Sequence, residues 1–151
     1  MRRRIAVLLG TVGLLGAMAV PAIGLTGANT DATQLVATLT GLGEVPPLTT
    51  ATAGIAHVTI DVDKRLICYD LSVTGRKPVA AHIHEGVDGV NGGVVVDLSA
   101  FGKDIRRESN GCTRRVAKSV IAAIANNPAG YYINVHSAQN PGGEVRGQLS
   151  N

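Results

Sequence analysis

Residues 56–73 read AHVTIDVDKRLICYDLSV, and this stretch decides the fold. Val58, Ile60 and Val62 alternate with His57, Thr59 and Asp61. After Asp63-Lys64, the apolar positions Ile67, Tyr69, Leu71 and Val73 alternate again. A period of two places one set of side chains on each face of a pleated strand, so this is a hairpin of two half-buried strands around a tight turn. Working outward, further short strands are expected over residues 34–40, 79–84, 94–98, 131–136 and 144–149. They are separated by Gly43-Glu44-Val45-Pro46-Pro47, by the glycine-rich residues 85–93 and by the turn Asn140-Pro141-Gly142-Gly143. One segment has a different period. Val116, Val120 and Ile124 stand four apart with Ala117, Ile121 and Ala125 beside them, which predicts a helix over residues 115–126. Thr113 is its expected N-cap and Asn127-Pro128 its stop. The pattern predicts an all-β fold, an antiparallel Greek-key β-sandwich of immunoglobulin-like type with one inserted helix.

The chain has 151 residues and a formal net charge of +3, but the charge is uneven. Arg2, Arg3 and Arg4 precede an apolar run over residues 5–20, and no acidic residue comes before Asp31. This reads as a secretory signal peptide over residues 1–28, with cleavage after Ala22 or Ala28; the alternative is an uncleaved anchor over residues 5–25. Residues 29–151 are then one domain with 11 basic and 11 acidic side chains. An electrostatic case for nucleic acid or anionic lipid disappears with the leader. Aromatics at 3% and the absence of Trp also argue against base stacking. The expected location is secreted or in the cell envelope, with no membrane span after signal cleavage.

Cys68 falls in a predicted strand and Cys112 just before the helix. An exported chain with two cysteines and no C-x-x-C spacing points to one structural disulfide. Closing a loop of this size stabilises by about 4 kcal/mol in the chain-entropy model.

Residues 81–86 read AHIHEG. On a strand, His82 and His84 project from one face about 7 Å apart, while Ile83 faces the core. Tyr132, Asn134 and His136 likewise alternate with Ile133 and Val135. If these two strands are neighbours, His82, His84 and His136 converge, and three imidazoles with an open position suit copper or zinc. The alternative is that these histidines make polar contacts at a strand end or hydrogen-bond the glycine-rich backbone. His57 lies on a separate strand and is expected at the surface.

Other routes to catalysis find little support. No G-x-S-x-G, P-loop or dinucleotide motif is present, and Glu85 and Asp97 form no evident carboxylate pair. Ser137 follows His136 directly, so the two side chains point to opposite faces. Arg106, Arg107, Arg114, Arg115 and Lys118 are interspersed with Asp104 and Glu108. They read as a solvated face, with a patch for extracellular polyanions as the sharper alternative.

Four motifs stand in order: Gly43-Glu44-Val45-Pro46-Pro47; Ala81-His82-Ile83-His84-Glu85-Gly86 with Asn91-Gly92-Gly93; Tyr132-Ile133-Asn134-Val135-His136; and Pro141-Gly142-Gly143-Glu144-Val145-Arg146-Gly147-Gln148-Leu149. Together, from Gln34 to Leu149, the chain resembles the CHRD domain, named for chordin and widespread in exported bacterial proteins. That resemblance implies an extracellular setting, with Glu44, Glu85, Asn134, Glu144 and Arg146 as motif residues. Chordin's growth-factor partners do not transfer to a bacterial chain. The His-x-His with its glycine-rich loop is also similar to the copper site of copper-zinc superoxide dismutases. Arg146 would match that family's substrate-guiding arginine and His136 its late histidine. No His lies between Glu85 and Val135, so the bridging and zinc ligands are missing and only a mononuclear site is conceivable. Glu44, Glu144 and Arg146 are expected instead to close the sandwich end as an ion-pair network. The function expected is a non-enzymatic extracellular or envelope binding or structural module with an unidentified ligand. The alternative is a mononuclear copper or zinc protein; if redox-active, it acts on a small oxygen species.

Overall fold

The 56–73 hairpin folds as the alternation demands. In the computed structural model, which describes residues 32–99 and 106–151, β2 (Ala53–Asp61) pairs antiparallel with β3 (Leu66–Thr74) from Ala53↔Thr74 to Asp61↔Leu66. Asp61 Oδ1 accepts the Lys64 N–H at 2.8 Å, and Arg65 turns the corner with a φ of 52°. The other strands are β1 (Thr33–Thr40), β4 (Pro78–Glu85), β5 (Val94–Asp97), β6 (Glu108–Thr113), β7 (Tyr131–Ser137) and β8 (Val145–Gln148). Among the described residues the one α-helix is α1 (Lys118–Asn126). The leader expected over residues 1–28 and Asp104 of the charged cluster lie outside the described residues.

The all-β antiparallel class with one helix is what forms. Its layering comes from one continuous sheet in the order β5-β4-β7-β8-β1-β2-β3-β6, curled into a half-barrel, rather than from two separate sheets. The chain crosses from β3 to β4 over four intervening strands, and from β5 to β6 between the two sheet edges. The concave face buries Leu35, Leu39, Val58, Ile60, Leu71, Ile83, Ile133, Val135 and Val145 as one apolar core. Ile121 and Ile124 of α1 close it, both fully buried.

Strand ends shift by up to three residues from the sequence reading, and the helix start and strand β6 differ for a physical reason. The helix begins at Lys118, three residues later than expected, because Thr113 is still the last residue of β6, paired with Ile67. The chain needs residues 114–117 to step from the sheet edge to the helix axis. The Thr113 hydroxyl accepts the Arg115 N–H at 3.1 Å, so the side chain read as a helix cap closes a turn ahead of the helix instead. Strand β6, with sequence ESNGCT, carries no apolar alternation because it is an exposed edge. Cys112 therefore sits inside a strand, directly opposite Cys68 on β3, and the two form the expected disulfide with a Cα–Cα distance of 4.0 Å.

Candidate metal centre

Strands β4 and β7 are neighbours. Their register sets His82 opposite Asn134, His84 opposite Tyr132 and Ala80 opposite His136. On β8, Arg146 pairs with Asn134 and Gln148 with Tyr132. The convex face of the sheet thus carries a polar block, while Ala81, Ile83, Ile133 and Val135 point into the core.

This polar block is itself covered. Residues 86–93 fold back over it, pinned by Glu85 N–H to Gly93 O at 3.0 Å and Gly86 N–H to Gly130 O at 2.7 Å. Gly92 is required here, because a Cβ at this position would overlap the Glu85 carbonyl. Every residue of β7 is consequently buried, on both faces.

His82, His84 and His136 come together. One ring nitrogen from each lies within 4.8 Å of the others. The ring centroids are 5.7 Å apart for His82–His84, 4.8 Å for His82–His136 and 6.2 Å for His84–His136. The second nitrogen of each ring faces an oxygen. His84 Nδ1 is 3.0 Å from Gly92 O, His136 Nδ1 is 2.9 Å from Pro141 O, and His82 Nε2 is 3.7 Å from Asp97 Oδ1. A carbonyl only accepts, so His84 and His136 carry their hydrogen on Nδ1 and present bare Nε2 atoms. His84 Nε2 is buried and has no hydrogen-bond partner. Burial pushes the His82 and His136 imidazoles below their ordinary range, and neighbouring imidazoles push the same way. Neutral rings are the form that ligates a metal.

Against Asn134 and the turn after β7 lie two carboxyls shifted in opposite directions. Glu44 is 7% exposed, and its Oε2 accepts the Asn134 amide at 3.3 Å. Its Oε1 and Asn134 Oδ1 are buried acceptors without a donor. Burial pushes the Glu44 carboxyl up to about 7, against the opposing pull of Asn134 and the Arg146 charge. A proton on Oε1 gives this pocket the donor it lacks. Glu144 is also desolvated, but hydrogen bonds from Thr50, Asn140, Thr52 and Ser137 outweigh that and hold it at about 2. Its ion partner is Arg76, at 3.7 Å.

Arg146 departs from the ion-pair expectation. It is 2% exposed, donates to Val87 O, Val90 O and Asn91 Oδ1, and lies 3.4 Å over the Tyr132 ring. A guanidinium so covered cannot guide a solute. Glu85 is exposed at the end of β4 and His57 is exposed on β2, both outside the cluster. Ser137 points away from the histidines and donates to Glu144 Oε2 at 2.8 Å. Arg106, Arg107, Arg114, Arg115 and Lys118 are exposed; Arg107 donates to Gly75 O and Lys118 lies 3.4 Å from Asp63. Tyr132, which alternation puts on the His136 face, completes the site together with Asp97 and the carbonyls of Gly92 and Pro141, to which no local spacing points. Only the β4–β5 register, His82↔Asp97, brings the aspartate to its histidine.

The fold and site define an all-β domain with a three-imidazole cluster beneath a glycine-rich loop. Residues 35–149 match the family model of the CHRD domain, and the chain belongs to that family. Comparison with curated proteins and with solved structures gave no match. Among the described residues, no helix is long and apolar enough to cross a membrane.

Proposed function

We propose that the chain is an exported CHRD-domain binding module that holds one copper or zinc ion between His82, His84 and His136. The disulfide fits an oxidising, extracytoplasmic compartment. The observation that carries the metal reading is the division of labour within each ring. One nitrogen faces an oxygen acceptor, which leaves the other for a shared ion, and the three rings bring ligand atoms within 4.8 Å of one another. Such outer acceptors orient metal-binding imidazoles and raise their basicity.

The dimensions fit with modest movement. At a Zn–N distance of about 2.0–2.1 Å, two tetrahedral ligands sit about 3.3 Å apart. His82 Nδ1 and His136 Nε2, now 2.9 Å apart, need only part slightly. His84 Nε2 has to swing inward. A bound copper ion would bring one-electron chemistry and zinc a closed-shell Lewis acid, while the chain orients the rings. That same 2.9 Å contact favours a second reading, a metal-free polar network that stiffens the strand pair.

Metal analysis separates the two. Protein exported from its own host is expected to carry close to one equivalent of copper or zinc, and His82→Ala/His84→Ala none. Absence of stoichiometric metal, together with no affinity tighter than micromolar, would leave the polar-network reading. Equal binding by the double variant would place the metal elsewhere.

A further inference from the structure

We propose that Arg146 is the positioning residue of this centre, controlling His84 through two routes that meet on its ring. The inference rests on the metal reading above. The first route is the loop. Arg146 Nη2 donates to Val87 O and Val90 O, each at 3.0 Å, and Nη1 donates to Asn91 Oδ1 at 3.3 Å. The next residue, Gly92, gives its N–H to the Tyr132 hydroxyl at 3.1 Å and takes the His84 Nδ1–H at 3.0 Å. The second route is a stack. Arg146 Cζ lies 3.4 Å over Tyr132, and that ring stacks on His84 at 4.9 Å with an interplanar angle of 12°.

The two routes close a circuit: Arg146, loop, Gly92, His84, Tyr132 and back to Arg146. The loop fixes which nitrogen of His84 bears the hydrogen, and the stack fixes where the ring plane lies. Together they leave Nε2 bare and fix the ring position from which it reaches the centre. No other residue type serves both routes. A lysine offers three donors from a single point but has no planar group to lie flat on an aromatic face while it donates. Buried at 2% exposure, Arg146 acts on the centre only through these neighbours.

The test uses Arg146→Lys and Arg146→Met in the full chain, with two readouts. Competition titration with Zn²⁺ is expected to show affinity falling by about tenfold or more in both variants with all three ligands intact, as for loss of an outer-shell partner. In metal-free protein, long-range ¹⁵N correlations should report one His84 tautomer, Nδ1–H, in the wild type and a mixture in the variants. Ile133→Val, which thins the core without touching the circuit, serves as the stability control. If it weakens zinc as much as the Arg146 variants do, the positioning role is overturned. Unchanged affinity with an unchanged His84 tautomer also overturns it. Should the Met variant fail to fold, Tyr132→Phe keeps both stacks, deletes the hydroxyl that holds Gly92, and should release the tautomer. A wild type that binds no zinc defeats the metal reading alone, because the tautomer measurement still decides whether Arg146 governs His84.

Discussion

Nδ1 of His82 lies 2.9 Å from Nε2 of His136, across 54 positions of sequence. The contact is diagonal, because His136 is directly opposite Ala80 and Asn134 is opposite His82. His136 donates from Nδ1 to Pro141 O, so its neutral ring accepts at Nε2. The hydrogen between the two rings therefore belongs to His82 Nδ1. Were both nitrogens to hold a metal, His82 would carry its hydrogen on Nε2 instead, toward the Asp97 carboxylate.

Asp97→Asn is accordingly expected to weaken zinc or copper binding by about tenfold, the low end for an outer-shell carboxylate, since Asp97 is half-exposed. Chelator competition measures it. Unchanged affinity would show that His82 Nε2 does not depend on this partner.

The Cys68–Cys112 bridge closes a loop with a sequence separation of 44 and ties edge strand β6 to β3. Cys68→Ala/Cys112→Ala should lower the free energy of unfolding by about 4 kcal/mol. Urea titration of wild type and variant reads it. A loss below about 1 kcal/mol would mean that the strand ladder alone holds the edge.

Glu44 gives a pH signature of known sign. Its carboxyl is raised from 4.5 to about 7 in the folded chain. Below 4.5 both folded and unfolded forms hold the proton; between 4.5 and about 7 only the folded form does. Stability contributed by the protonated group is thus lost as pH rises through this window. The lowered pKa values of His82 and His136 tilt the metal-free protein the opposite way as they titrate. Glu44→Gln isolates the carboxyl: the stability of the variant minus that of wild type should climb across the window and level off above it. A flat difference from pH 4 to 8, measured by denaturant unfolding, would mean that Glu44 titrates normally.

Reading the site from sequence succeeded where the signal was local. His82 and His84 stand two apart on a strand, so a shared face follows from the pleat alone. His136 required the β4–β7 pairing, which joins strands separated in the chain by β5, β6 and α1 and which the sequence reading could state only as a condition. Asp97 was visible as a residue and invisible as a partner. Arg146 was expected to pair with carboxylates; under the loop it meets three oxygens that belong to no charge. β6 escaped notice because an exposed edge strand has no apolar face to alternate.

By itself the sequence determined the period-two strands, the 56–73 hairpin, the cysteine pair, the His-x-His face and the ordered motifs of the CHRD family. Each of these is written within a few residues, or in the identity of the only two cysteines. The tertiary structure alone decided which strands adjoin, which oxygens face the second nitrogen of each imidazole, and that Glu44 meets Asn134 across 90 positions. Strand order is chosen by burying one apolar face of the whole sheet at once. The polar contacts on the other face follow from that choice, and they leave no periodic trace in the chain.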